Sequence, residues 1–507
     1  MFGPAYLDIL TFFYPVGNTP AVCLTRNLPQ HIQGHILLLG CGDVRNILFT
    51  LYSEQNLSRE LEIACCDLSE SILARNIILF TLALNDEKGE KRHIIWNLYY
   101  HFKLDKESLE TLQYHSRKLV LVSVSSSMHE WHSTTYGRLL RFCDSSTFER
   151  VRALWRSYGT VDLDEEEEVA FNDILEKNMR RAQALKAHYI GKGQVTTGMR
   201  SAAPLNTAFL QLHISRISTI GTMGVRAMTL IFFREPTDPL LGFHLATAFA
   251  PLSKEHHSIS ETLSDTSISI VVKTAKLQFR EWCDSFRSWS SKTLTIRFFA
   301  GDAIAFSYAL HQKRVSSTSR LANIYRDIYH LESIKLHDED LAKRAPVQFT
   351  VIDTSNLIDH LGAVNVLSAT SVLLVENTPS SLYTESLVRR EINYEAYIQS
   401  LLCGDFSTMT LLLDLFPLEY RTNASTSSAT DEAMLDAISR LIGPEEKPQM
   451  QISGFFHGKH FVSGEHTWRI KSVLVLWAHS SSMNASHRIQ YGGLINPIWH
   501  IGRTRVL

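Results

Sequence analysis

The residues with the clearest chemical potential in this chain begin at a pair of glycines. The run Ile36 to Asn46, ILLLGCGDVRN, carries an apolar stretch into Gly40 and Gly42 and then into helix-like spacing. Glycines there let the chain turn tightly and let a ligand approach the backbone, which is how nucleotide-binding α/β folds begin. A lone Gly-x-Gly also occurs in ordinary turns, so it suggests a ligand without naming a reaction. A second apolar run, Leu61 to Cys66, ends at Asp67, 25 residues beyond Gly42. In open α/β sheets an acid at that place accepts hydrogen bonds from ribose hydroxyls; capping the following helix is the alternative role.

The elements that must position these residues are legible as patterns. Ile36 to Leu39 predicts a strand buried on both faces, and VRNILFTLY predicts a helix with Ile47, Leu48 and Leu51 toward a sheet. SESILARNIILFTLAL predicts a second helix, capped by Ser69 or Ser71. The alternation stops at the charged turn Asn85 to His93, and Ile94 to about Gly193 reads as mainly helical. The acidic run Asp162 to Glu168 begins a helix there, and that helix later carries Arg180, Arg181 and Lys186. Gly191 to Pro204 reads as a loop without phosphate-loop spacing, and Asn206 to Ser290 as mixed, with a strand at AMTLIFF.

Alternation resumes at LTIRFFAGDAIAFSYAL, a strand, a turn at Gly301 and Asp302, and a helix; VQFTVIDTSNLIDHLGAVNVL repeats that plan. SVLLVE, Ser371 to Glu376, predicts a short strand, Arg421 to Asp431 a linker, and HFVSGEHTWRIKSVLVLWAHS a β-hairpin.

Composition bounds the function classes. The 507 residues suffice for several domains, or for one domain with a large insertion. The 50 Lys and Arg against 52 Asp and Glu leave a formal charge of −2, so no global field points to nucleic acid or an anionic membrane. Seven cysteines without a C-x-x-C pair favour free thiols and a reducing compartment. Cys65 and Cys66, adjacent on one strand, should face opposite sides as small core residues. The N-terminus lacks a signal-peptide pattern and no run spans a bilayer, which places the protein in the cytoplasm with the nucleus open. His129 and His132 in MHEWH lack metalloprotease spacing, and His256 and His257 are adjacent; no metal is expected.

Taken in order, ILLLGCG, Asp67, FFAGDA and VIDTSNLIDHL resemble the stations of a class I S-adenosylmethionine-dependent methyltransferase. The resemblance implies a Rossmann-like α/β sheet interrupted by a large, mainly helical insertion. Residues 1–90 would form the first part of the core, 91–290 the insertion, 291–400 the second part, and 401–507 a helical linker region with a closing hairpin. The resemblance also implies S-adenosylmethionine as cofactor. Gly40 and Gly42 would admit its amino-acid portion, with Asp43 beside them; Asp67 would hold the ribose; Asp302 would face the adenine amino group, with Ala303 and Ile304 lining the base. Asp353, Asn356, Asp359 and His360 would lie near the methyl group, with His360 the best general base and a structural helix position its alternative.

YPVGNTPAVCLTRNLP, LLLGCGDVRNILFTLY, CCDLSESILARNIILFTL, WNLYYHFKLD and YGRLLRFCD resemble an N-terminal domain shared by fungal proteins, some with MYND zinc fingers, and by the axonemal dynein assembly factor three family. No MYND-like cluster of paired cysteines occurs in this chain. Two departures from the methyltransferase pattern stand out: Leu38 replaces the acid two positions before the first glycine, and Val44 the third glycine. The sequence therefore supports methyl transfer to a small-molecule or protein acceptor, and, as a competing reading, a noncatalytic scaffold or assembly factor that binds protein partners through the insertion.

Overall fold

The computed structural model describes residues 21–160 apart from 56–58, 102–103 and 124–126; 268–289; 293–316; 320–323; 332–336; 345–386 apart from 377; 394–413; 452–458; and 474–478, with a few isolated residues such as Gly17. The loop expected at 191–204, the strand at 227–233, the acidic run at 162–168, His256, His257 and the linker at 421–431 lie outside them.

The apolar runs that end in Gly or Asp form the centre of one sheet. These are β1 (Gly34–Leu39), β2 (Leu61–Asp67), β4 (Leu294–Ala300) and β7 (Val351–Asp353). With β3 (Leu140–Phe142) and β8 (Ser380–Ser386) they make six parallel strands in the order β3-β4-β2-β1-β7-β8. The edge beyond β8 is extended by β9 (Ile452–Gly458) and β10 (Leu474–Ala478), an antiparallel pair in which Phe456 opposes Leu474. A separate two-stranded hairpin joins β5 (Arg320–Asn323) to β6 (Glu332–Lys335).

Alternation of side chains divides the interior into two layers, as a sheet buried on both faces requires. Ile36, Leu38, Ile63, Cys65, Ile296 and Phe298 meet one set of helices; Leu37, Leu39, Ala64, Cys66, Phe299 and Ile352 meet another. Cys65 and Cys66 thus occupy opposite faces, as expected. The first layer contains α1 (Arg45–Ser53), α2 (Glu70–Asn85), α3 (Arg92–Tyr100), α4 (Lys106–Val122), α6 (Ser145–Gly159) and α7 (Ile268–Trp289). The second contains α8 (Ala303–Ser316), α9 (Leu357–Leu361) and α10 (Ala363–Ser371), backed by α11 (Tyr394–Leu402) and α12 (Phe406–Leu413).

The long segment between β2 and β4 contributes to this core. After the short α5 (Met128–Ser133), it supplies β3, which pairs with β4 through Phe142 and Phe298, and the tryptophans of the first layer. Three of the five buried indoles among the described residues find a backbone acceptor: Trp131 Nε1 donates to Leu140 O at 2.8 Å, Trp155 Nε1 to Ala74 O at 3.2 Å and Trp289 Nε1 to Leu51 O at 2.8 Å. Buried aromatics combine large apolar area with one polar group that must be paired, so these bonds fix the helices' register on the sheet.

Two expectations are corrected. The segment Ser371 to Glu376 leaves α10 and makes only an isolated bridge, Phe349 with Leu374; the strand lies later, at Ser380–Ser386. Leu373 and Leu374 are apolar because they plug the second layer from the end of a helix. The mainly helical stretch after residue 94 also contains β3, whose three residues are too short for a period to register. No helix among the described residues is long and apolar enough to cross a membrane.

Candidate functional site

The order β7-β1-β2-β4 brings four separated segments to one edge. Leu38 pairs with Asp353, Cys66 with Phe299 and Asp67 with Ala300, so Gly40, Asp67, Asp302 and Asp353 all sit at or just beyond the C-terminal ends of adjacent parallel strands. The loops are stitched together: Cys41 N–H donates to Cys66 O at 3.0 Å, and Gly301 N–H to Asp67 O at 2.8 Å. Ligands of open α/β sheets bind in this position, outside the carboxyl ends of the strands.

The glycine turn uses left-handed backbone at both glycines, with φ of 67° at Gly40 and 58° at Gly42. A Cβ at Gly40 would lie 3.3 Å from Leu357 Cδ2, whereas one at Gly42 would meet no atom within 4 Å. Gly42 therefore faces open space, while Leu357 from α9 lies against Gly40. Gly40→Ala is expected to cost about 1–2 kcal/mol in urea denaturation, more than Gly42→Ala, because only the first adds crowding to the left-handed backbone cost.

Asp67 is buried, and its carboxylate organises the turn. Oδ2 accepts the Gly42 N–H at 2.9 Å and lies 3.9 Å from Cys41 Sγ; Oδ1 accepts the Ser69 N–H at 3.2 Å. Ser69 is the N-cap residue of α2, so the helix-capping and site roles proposed for Asp67 share one carboxylate. Asn76, from α2, closes the turn on its other side by donating Nδ2 to Gly42 O at 2.7 Å. No motif in SESILARNIILFTLAL sets Asn76 apart from its polar neighbours Arg75 and Thr81.

Asp43 points into a different arrangement. Its carboxylate accepts the Gly17 N–H at 2.9 Å and the Tyr99 O–H at 3.0 Å, and pairs with Arg45 Nε at 2.8 Å. Burial, with the Asp43 charge second, pushes the Tyr99 phenol well up, so it remains an O–H donor. Further hydrogen bonds tie the N-terminal segment to α1: Val22 N–H to Asn46 Oδ1 at 3.1 Å and Leu24 N–H to Thr50 Oγ1 at 2.9 Å. Nothing in the spacing of the sequence announced these contacts.

At the third station, buried Asp302 caps α8: Oδ1 accepts the Ala305 N–H at 2.9 Å, and Ala303 and Ile304 follow as buried residues. The β3–α6 unit covers the neighbouring strand end, where Arg150 donates to Ala300 O at 2.6 Å and Ala300 N–H to Thr147 Oγ1 at 2.9 Å. At the fourth, Asp353 is half-buried and accepts the Ser355 N–H at 2.8 Å from a residue with φ of 48°. Burial raises its pKa, opposed by that hydrogen bond and by the Arg26 charge. Arg26 stacks over Tyr383, its guanidinium carbon 4.0 Å from the ring centre.

Asn356 and His360 are both half-buried, one helical turn apart, with Nδ2 and Nε2 at 3.3 Å. Asp359, next to His360 in α9, is fully buried. The thiols at this edge are poor nucleophiles: a hydrogen bond with Cys65, then burial, pushes the Cys41 thiol well up, and burial followed by the Asp67 charge does the same to Cys66. A small cleft lies elsewhere, between Phe142, Arg297, Phe306, Leu310 and Val347. His132, weighed as a metal ligand, is a buried acceptor for the Phe142 N–H at 3.0 Å.

Comparison with known proteins adds one match. Comparisons with curated proteins and with solved structures gave no significant match. Residues 15–104, which include β1, the glycine turn, β2, α2 and Asn76, match a family described as a domain of unknown function, DUF4470.

Proposed function

We propose that this protein binds S-adenosylmethionine at the C-terminal edge of its sheet and is methyltransferase-like, transferring a methyl group to a small-molecule or protein acceptor. One observation carries the reading: Gly40, Asp67, Asp302 and Asp353 stand on four adjacent parallel strands although 235 residues separate Asp67 from Asp302. The donor set fits such a ligand. Gly42 leaves space beside the turn, and the Asp67 carboxylate lies directly against it, holding the Gly42 N–H. Asp67 would take ribose hydroxyls and Asp302 the adenine amino group, with Ala303 against the base.

The bound sulfonium would supply an electrophilic methyl carbon. The chain's task is then to hold an acceptor in line and exclude water, which is chiefly a matter of positioning. His360 is the candidate general base for an acceptor hydroxyl, oriented by Asn356; Asp353 would help bind the acceptor. Asp43 would act through the turn, by fixing the backbone at Gly42.

A second reading, a noncatalytic scaffold that kept the fold, draws on the self-satisfied turn: Leu357 lies against Gly40, and Asp43 and Asp67 are engaged by the chain itself. Calorimetric titration of the full chain with S-adenosylmethionine and S-adenosylhomocysteine separates the two. Saturable one-to-one binding is the expected result; absence of heat from folded protein favours the scaffold.

A further inference from the structure

Asn76 is buried at 2 % exposure in the middle of an apolar helix, and its two amide atoms fare differently. Nδ2 donates to Gly42 O at 2.7 Å, while Oδ1, equally buried, has no hydrogen-bond donor among the described residues. Helix α2 packs tightly, and a polar side chain that leaves one buried acceptor unpaired is a poor choice for stability alone. Its one strong contact is to the glycine turn. Gly42 is thereby clamped through both of its peptide groups, N–H by Asp67 and C=O by Asn76, on a residue whose missing side chain faces open space. A left-handed glycine has little intrinsic preference for that conformation, so outside contacts must set it.

From this geometry we infer that Asn76 is a positioning residue for the nucleotide site, holding the Gly42 peptide in the orientation in which the turn and Asp67 receive the ligand. The inference rests on the cofactor reading above and extends the site to α2. Asn76 acts through Gly42 and touches no reacting atom. An apolar residue of similar size would fill the same space without fixing the peptide, and Asp would turn a carboxylate toward the Gly42 carbonyl.

Asn76→Leu and Asn76→Asp, in the full chain, test this by calorimetry with S-adenosylhomocysteine and by the melting-temperature shift that the ligand induces. Both variants are expected to bind at least tenfold more weakly than the parent. The Leu variant should keep a melting temperature near the parent's without ligand and lose most of the ligand-induced shift. A purely structural role would lower the ligand-free melting temperature and leave the affinity of the folded fraction unchanged. Parent-like affinity in either folded variant, within twofold, overturns the inference. A parent that does not bind S-adenosylhomocysteine overturns the cofactor reading, and with it the inference; parent binding with unaffected variants overturns the role of Asn76 alone.

Discussion

Replacing Asp67 with Ala is expected to reduce S-adenosylhomocysteine affinity at least a hundredfold and to lower stability by about 2 kcal/mol. The affinity loss follows from removing the only carboxylate proposed to face the ribose; two hydrogen bonds to a charged group are together worth roughly 3 kcal/mol or more. The stability loss has a separate origin. The carboxylate accepts the part-buried Gly42 N–H and the buried Ser69 N–H, so its removal leaves both donors to find other partners. Asp67→Asn keeps one oxygen acceptor and should recover about half of the stability while still binding weakly. Urea denaturation and calorimetry on the same preparations read the two effects independently. Loss of stability with unchanged affinity would leave Asp67 a capping residue only.

The stability of the protein is expected to fall steeply between pH 6.5 and about 3, largely through His115. Burial, reinforced by the charges of Lys118 and Lys91, lowers its pKa from 6.5 to about 3, and its Nε2 lies 2.7 Å from Thr81 Oγ1. In that window the unfolded chain binds a proton that the folded chain refuses, so folding weakens as pH falls. The full interval corresponds to at most about 5 kcal/mol. Asp144 and Asp353 work in the other sense, because burial holds their carboxyls above the usual value and favours the folded state as they protonate. A comparison with His115→Leu isolates the histidine. Thr81 keeps a backbone acceptor, Ile77 O at 2.8 Å, and α4 keeps an apolar side chain, so the variant should fold. Its stability should change far less between pH 7 and 4 than the parent's; an equal slope would place the acid sensitivity elsewhere.

These outcomes bear on how much the sequence disclosed. The strands β1, β2, β4 and β7 were legible because each is an apolar run ending at glycine or aspartate, and their adjacency follows once they share one parallel sheet. The strand β8 was not: Ser380, Ser381 and Thr384 are polar yet buried, so a hydrophobic search passes over SSLYTES and stops at SVLLVE. The contribution of the long segment between β2 and β4 was legible as helices. Its role as sheet edge and inner layer depends on Phe142 meeting Phe298, a pairing that no local pattern records.

At the site, the sequence identified the acids and glycines but not what engages them. Asp43 could be read as a ligand contact until Gly17, Arg45 and Tyr99 were seen to converge on it. Asp359 had suitable chemistry and spacing, but a five-residue helix turns it fully inward while His360 stays half-exposed. Asn76 was passed over because burial and a single long-range bond, rather than any motif, give it importance.

The central claim is that one ligand spans stations drawn from both halves of the chain. Ultraviolet crosslinking of S-adenosylmethionine to the full protein, followed by mapping of the labelled peptides, tests it most directly. The account predicts label in peptides from both 36–76 and 299–306, lost on excess S-adenosylhomocysteine. Label confined to other segments, or none that the competitor displaces, would contradict it.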